Sequence, residues 1–482
     1  MADTKKMELE SVPLLINGKP TCSTPSAKFP VFSLDLGRDV HLAESADVQA
    51  ATRAADASWI AFQSWKNSAA VTRRKILLRY AELLRGHEED LVAVQRLETS
   101  VSELWARKNV RLPADLVEEV AACVTRLEGV IPQPQTASSM ALVLPVPVGP
   151  VLSIAPWNSS VILGARSIAT PVAAGCTVVF KASELCPKTH HMLVSILGEA
   201  GLPDGVVNVI QTARHDAATV TEALISHPAI KKVEFIGSAS VGRAIGQLCG
   251  KHLKPILMEL GGKGPVLVLA DANLEDAAEK CVAGAFLHHG QLCFSTERVI
   301  VVESVAKRFQ ELLKQKAPNF PPGSGVSQQI LGASLDKLRD AQQKGATFLV
   351  GGPEMASHSS LVPTIVTGVT KEMQVSDEEA FGPSFSLSVA KDDREAIQMA
   401  NDTKYGLNAA IHSTNMQHAL EVAREIDTAQ IHINSMTAHD EPTLPVGGMK
   451  GSGWGRNNGL WGLREFTDVK VITFSPKGND FV

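Results

Sequence analysis

Hydrophobic positions follow two different rhythms along this chain. Across residues 48–97, Ala, Leu and Val recur at helical spacing, which predicts two or three helices, and residues 115–127 predict another. Residues 141–148 are apolar and β-branched but broken by Pro145 and Pro147, which predicts an extended arm. From Val151 the rhythm changes. Short apolar runs at 151–154, 177–181, 206–210 and 232–236 alternate with helical stretches at 162–174, 189–200 and 217–226. Strands alternating with helices at this spacing predict a parallel sheet covered on both faces. A second α/β region starts near Gly261. Its predicted strands are 265–269, 298–302, 347–350 and 385–389, and its predicted helices are 305–316, 334–344, 394–401 and 416–426. The last strand-like run, 469–474, has no partner in its own stretch of sequence. A strand of that kind can extend a sheet edge of another copy, so a homodimer or homotetramer is expected.

Composition narrows the function classes. The 482 residues are 44% hydrophobic, enough for two or three domains with sizeable cores. Net charge is −5 with both signs interspersed, so no basic block argues for nucleic acid and none for a membrane surface. Aromatic residues make up 5%, which argues against base-stacking platforms. The apolar stretch 141–154 is too short and too proline-rich to cross a bilayer. Residues 1–10 are charged and lack the apolar segment of a secretory leader. The seven cysteines form no CxxC pair, so neither a zinc site nor a disulfide framework is expected, and no metal. A reduced, cytoplasmic protein fits these features.

One cysteine stands apart. Cys293 lies on a Gly-containing turn between the helix-like run 277–287 and the strand-like run 298–302. Glu259 lies upstream, ahead of Gly261-Gly262. A nucleophilic thiol with a separate base is the minimum set for making and then hydrolysing a thioester. The run 232–236 leads into Gly237-Ser238 and then a helix-like stretch. This is either a structural turn or an anion site, where free N–H groups and the helix dipole face a phosphate. Lys181 and Glu184 follow another strand end. They read either as solvent-facing charges or as partners for ribose hydroxyls, since ligands of open α/β sheets lie at the carboxyl ends of strands. Glu184 there would repel a 2′-phosphate and favour NAD over NADP.

Seven local patterns then agree in order and spacing. They are Pro156-Trp157-Asn158, Lys181-Ala182-Ser183-Glu184, Phe235-Ile236-Gly237-Ser238, Glu259-Leu260-Gly261-Gly262-Lys263, Gly290-Gln291-Leu292-Cys293, Glu379-Ala380-Phe381-Gly382-Pro383 and Pro445-Val446-Gly447-Gly448-Met449-Lys450. From about residue 14 to residue 473 the chain resembles an NAD(P)-dependent aldehyde dehydrogenase. Its pattern around residues 104–105 and 156–166 is most similar to the vanillin, benzaldehyde and salicylaldehyde dehydrogenase branch. The resemblance implies an α/β fold with a Rossmann-type cofactor domain (1–125 and 148–260), an α/β catalytic domain (261–445) and a small β oligomerisation arm (126–147 and 466–482).

It also implies roles. Cys293 attacks the aldehyde, Asn158 with the Cys293 N–H holds the oxyanion, and Glu259 activates the hydrolytic water. Lys181 and Glu184 hold the adenosine ribose, and Gly237, Ser238 and the following helix hold the pyrophosphate. Trp157 and Ile236 line the cofactor, Glu379 bonds the nicotinamide ribose, and Phe381 packs beside it. Trp105 and Arg166 are assigned to the substrate pocket, Trp105 with a core role as its alternative and Arg166 with a structural ion pair. The implied reaction is NAD-dependent oxidation of an aromatic or bulky apolar aldehyde to its acid.

Four features depart from the family pattern. Ile236 stands where Thr is usual, Ala182 replaces a frequent Pro, and Val446 replaces an aromatic residue. Residues 314–331 form a shorter connection, expected to be a trimmed surface loop. Ile236 and that loop also leave open a member recruited to non-redox, isomerase-like chemistry in a biosynthetic pathway.

Overall fold

A computed structural model describes residues 9–135 and 139–475. The expected arm residues 136–138 and 476–482, and residues 1–8 of the expected cofactor domain, lie outside the described residues. An eight-stranded sheet has the order Gly453–Trp454, Ile256–Glu259, Lys232–Ile236, Val151–Ile154, Val178–Lys181, Val207–Ile210, Leu14–Ile16, Lys19–Thr21. The five strands from Ile256–Glu259 to Val207–Ile210 run parallel. Val178–Lys181 is buried along its whole length, as a strand covered on both faces must be. One apolar core lies between one face and the helix Ser160–Ala174. A second core fills the other face, where Val48–Trp65 packs.

The second sheet has seven strands in the order Thr347–Val350, Thr364–Thr367, Ser384–Ala390, Thr296–Val302, Gly264–Val268, Asn408–His412, Gln430–Ile433. All pairs are parallel except the first. Among the strands that escape the sequence pattern are Ile256–Glu259, Thr364–Thr367, Asn408–His412 and Gln430–Ile433.

Three expectations change. The predicted helix at 115–127 begins at Glu103 and ends at Cys123, with the Ser102 hydroxyl accepting from Trp105 N–H at 3.3 Å as its cap. Pro113 reads as a break in sequence, but it is buried with Trp105, Asn109 and Val110, and packing keeps the helix continuous. The terminal strand Thr467–Phe474 has a partner within the chain after all. It pairs antiparallel with Met140–Pro147, Val469 opposite Pro145, and leaves Val469, Val471 and Phe474 exposed. The short connection before the helix Gln328–Gln343 is not merely a surface loop, because Val326 is buried and bonds the turn that carries Cys293. Among the described residues no helix is long and apolar enough to cross a membrane, and no acidic, His or Cys cluster is arranged for a metal. All seven cysteines are free thiols.

Candidate active site

Glu259 is the last residue of Ile256–Glu259, where the chain crosses from the first sheet to the second. That strand end is clamped from outside. Gly453 pairs with Glu259, Leu260 N–H bonds the Ser452 carbonyl at 3.0 Å, and the Ser452 hydroxyl bonds the Gly261 carbonyl at 2.8 Å. Cys293 arrives from the other sheet, on the turn between Leu274–Phe286 and Thr296–Val302. His288, His289 and Gly290 there have φ of 50°, 58° and 71°. A side chain at Gly290 would strike the Gly382 carbonyl. Gln291 stiffens the turn. Its amide nitrogen donates to the His288 and Ser324 carbonyls at 3.1 and 3.0 Å, and its oxygen accepts from Val326 N–H at 2.9 Å.

The two residues meet with Cys293 Sγ 3.8 Å from Glu259 Oε1. Burial holds the thiol well above its ordinary range; Glu259 and Glu379 add to that, and Arg166 opposes it. Burial also raises the Glu259 carboxyl, against the pull of Arg166. Asn158 is buried and donates through Nδ2 to the Gln291 carbonyl at 3.0 Å, which leaves one of its two amide hydrogens unused.

Two hollows open from this pair. The larger, about 680 Å³, is lined by Trp157, Asn158, Lys181, Glu184, Ile236, Gly237, Ser238, Glu379 and Phe381, and ends on Glu259 and Cys293. Lys181 is buried; desolvation lowers its pKa and Glu184 opposes that. Ser238 caps the helix Ala239–Lys251 through Val241 N–H at 3.5 Å, and the first N–H groups of that helix have no intrahelical acceptor. Trp157 and Phe381 meet edge to face, ring centres 5.8 Å apart. Glu379 accepts from Gly262 N–H at 3.1 Å, and burial followed by Glu297 pushes it up to about 8. Its carboxylate lies so close to Gly261 that any side chain there would collide with it. Beneath this segment Glu297 takes Lys263 Nζ at 2.6 Å and Ala380 N–H at 2.9 Å.

The smaller hollow, about 50 Å³, lies on the other side of Cys293 and Glu259. Trp105, Ile162, Leu163, Arg166, Phe294, Ala438, His439 and Asp440 line it. Trp105 and Arg166 are both packed in place and both border this hollow. Trp105 is buried, stacks on His288 at 5.8 Å and 16°, and still faces the pocket. Arg166 is an ion-pair residue and a wall at once, bonded through Nη2 to Asp440 with Nη1 3.8 Å from Glu259 Oε2. Burial works against its charge, but Asp440, Glu259 and Cys293 together hold its pKa above the ordinary value.

Sequence reasoning missed Asp440, Gln291 and the Lys263–Glu297 pair. A carboxylate opening the apolar run of Thr296–Val302 signals a buried ion pair, and Glu297 was open to that argument. Asp440 carries no local signal, because it sits in an irregular stretch.

The fold agrees with the comparisons. The Aldehyde dehydrogenase family matches residues 30–472. Vanillin dehydrogenase of Pseudomonas sp. (strain HR199 / DSM 7063) is 41% identical over 472 residues, covering 96% of this chain and 97% of that protein. The crystal structure of a salicylaldehyde dehydrogenase from Pseudomonas putida G7, complexed with salicylaldehyde, superposes with a TM-score of 0.95 at 35% identity and covers 98% of this chain and 100% of the other. An NAD-dependent aldehyde dehydrogenase from Sinorhizobium meliloti superposes with a TM-score of 0.92 at 30% identity, covering 98% and 97%. The chain belongs to the aldehyde dehydrogenase family. It is an oxidoreductase of that family, with Cys293 in the region where the family's catalytic cysteine lies.

Proposed function

We propose that the protein oxidises an aromatic or bulky apolar aldehyde to its carboxylic acid with NAD. The observation that carries this reading is that Cys293 and Glu259 form the common wall of a long cofactor-sized cleft and a small aromatic-lined pocket. Ring-bearing substrates of the similar vanillin and salicylaldehyde dehydrogenases favour the same class here.

The residues fit a nicotinamide dinucleotide. Lys181 and Glu184 offer a cation and a carboxylate to ribose hydroxyls, Ser238 opens a helix toward a pyrophosphate, and Glu379 faces the inner end. Glu184 disfavours a 2′-phosphate by like charge, which is the ground for NAD over NADP. Bound there, the cofactor supplies the hydride acceptor.

The chain's own residues do the rest. The raised thiol must lose its proton to attack, and Glu259 Oε1 at 3.8 Å is the acceptor in reach. The Cys293 thiolate adds to the aldehyde carbon, and the Cys293 N–H with the remaining Asn158 hydrogen holds the oxyanion, each contributing about 3 kcal/mol. Once the hemithioacetal has given up hydride, the thioester stays on Cys293. Glu259 then takes a proton from water, the hydroxide attacks, the thiolate leaves and takes that proton back from Glu259, and the product acid ionises. Trp105 and the apolar wall hold the ring. We also assign the exposed apolar strand of the arm to a subunit contact in a homodimer or homotetramer.

The test is direct. Purified protein with NAD and a panel of benzaldehydes and aliphatic aldehydes should produce NADH, fastest with the benzaldehydes. No NADH from any aldehyde, with NAD binding demonstrated by fluorescence, would overturn the reading.

A further inference from the structure

Resting on that reaction, we propose that Glu234 is a buried proton-holding carboxyl that unloads Glu259 between thiol activation and thioester hydrolysis. The need for such a group follows from the stoichiometry. Oxidation of an aldehyde with water to a carboxylate and NADH releases two protons. One leaves with the product acid; the other is the Cys293 thiol proton, which Glu259 has to lose before it can take a proton from water. Glu259 is 2% exposed, and in the reacting enzyme the two hollows it borders hold aldehyde and cofactor, which leaves the protein layer behind it as the free route for the proton.

Glu234 is placed to receive it. In the parallel pair of strands, Ile236 lies opposite Glu259 and Glu234 opposite Leu257. Side chains two apart share a face, so Glu234 and Glu259 are diagonal neighbours on one face of the sheet. The helix Ser160–Ala174 covers that face, Arg166 beside Glu259 and Ser167 beside the strand Val151–Ile154. Inside this layer Glu234 Oε1, Glu259 Oε2, Arg166 Nε and Nη1 and Ser167 Oγ are buried without a hydrogen-bond partner. Buried polar atoms of this kind are ordinarily joined by ordered water, which carries protons.

The second oxygen of Glu234 shows how the site accepts both states. Ser153 sits opposite Glu234 in register, its Oγ 3.0 Å from Glu234 Oε2 and 2.9 Å from the Ser167 carbonyl. A hydroxyl has one hydrogen and here faces two acceptors. When Glu234 is protonated it donates to Ser153, which donates to Ser167. When Glu234 is ionised, the Ser153 hydroxyl turns to it. Either state is satisfied by one hydroxyl rotation. The step moves one proton from Glu259 to Glu234 and leaves total charge unchanged, with no oxidant or reductant involved.

Burial pushes the Glu234 carboxyl up to about 7, near working pH, with Ser153 and Arg166 opposing and Glu259 adding. The charged groups around it are Arg166 on the covering helix, Glu259 on the next strand, and Lys232 on its own strand, the last already paired with Glu465 at 3.1 Å. Glu234 acts through Glu259 and does not touch the aldehyde.

The test uses Glu234→Gln, which keeps shape and can bond Ser153 but cannot take a proton. With benzaldehyde and NAD, the pre-steady-state burst of NADH should keep its rate. Steady-state turnover should fall about tenfold, a modest share of what proton transfer is worth, and the rise of kcat with pH near 7 should be lost. Ser153→Ala, which keeps the acid and removes its hydroxyl partner, should move that rise to higher pH. Independently of turnover, difference infrared spectroscopy should show a protonated carboxyl that titrates near neutral pH in the wild type and is missing in Glu234→Gln. That readout stands even if benzaldehyde is not a substrate, so it separates this proposal from the reaction it rests on. A Glu234→Gln enzyme with wild-type turnover and pH profile, a parallel fall of burst and steady state, or a wild type without the titrating carboxyl band would overturn it.

Discussion

The two hollows that meet at Cys293 are built on different plans. The cofactor cleft, about 680 Å³, is made mainly where parallel strands end, at Lys181, Ile236 and Glu259. The pocket, about 50 Å³, is made by the flanks of two helices, the cysteine turn and an irregular stretch around Asp440. The cleft presents backbone and a few polar groups over a long path, so many weak contacts share the load. The pocket sets aromatic and aliphatic walls beside a buried Arg166–Asp440 pair, so one altered side chain changes a large part of it.

The hardest blow falls on the shared wall. Cys293→Ala should lower turnover by at least about 10⁴-fold while NAD binding, read by fluorescence titration, stays unchanged. Retained turnover would put the chemistry elsewhere. Glu259→Gln should lower steady-state rate by about 10³-fold and also slow the release of the first equivalent of NADH, because the same carboxylate takes the thiol proton and the water proton. Full steady turnover would remove Glu259 from the hydrolytic step.

Arg166→Met sharpens the contrast on the pocket side. It leaves the Asp440 carboxylate without its cation, which should cost about 3 kcal/mol and lower the thermal midpoint, and adding Asp440→Asn should recover most of the loss. An unchanged midpoint in the single variant would show that the pair contributes nothing to stability. On the cleft side, Glu184→Ser should lower the preference for NAD over NADP by about tenfold with aldehyde KM unchanged. A wild type preferring NADP would contradict the charge argument.

The smallest effect is on stability against pH in the cofactor-free protein. Burial lowers His190 and His288 to about 3 and His289 and His412 to about 4. Their contribution is whole above the unfolded imidazole pKa and is lost as pH falls below it. Burial raises Glu98 and Glu234 to about 7 and Glu379 to about 8, so their contribution runs the other way, present in acid and lost as pH rises to 7–8. The thermal midpoint should therefore pass through a maximum near pH 6.5, the unfolded imidazole value. A monotonic rise through pH 8 would contradict the raised carboxyls.

Legibility in the sequence follows the same division. Val151–Ile154, Val178–Lys181, Val207–Ile210 and Lys232–Ile236 were readable because each is an apolar run bounded by turns and followed by a helix. Lys181, Glu184 and Ser238 were readable with them as lining of one cleft, because they follow the carboxyl ends of such strands. Ile256–Glu259 was not, although it carries Glu259, because Ile256 is its only β-branched residue. The start of Glu103–Cys123 was hidden by Pro113, and with it the reason Trp105 faces the pocket. Glu234 lies in a readable strand, but nothing local says that Ser153 and Arg166 surround it.

By itself the sequence determined the chemical groups, the alternation of strands and helices, and the cysteine turn, because these depend on residue type and near-neighbour spacing. The tertiary structure decided which charges share a dry space. Glu259 stands between Cys293 and Arg166, Arg166 leans on Asp440, and Glu234 waits one strand away. Those meetings join positions as far as 274 residues apart. They are set by how one helix lies across one sheet face, and no local pattern in the chain encodes that.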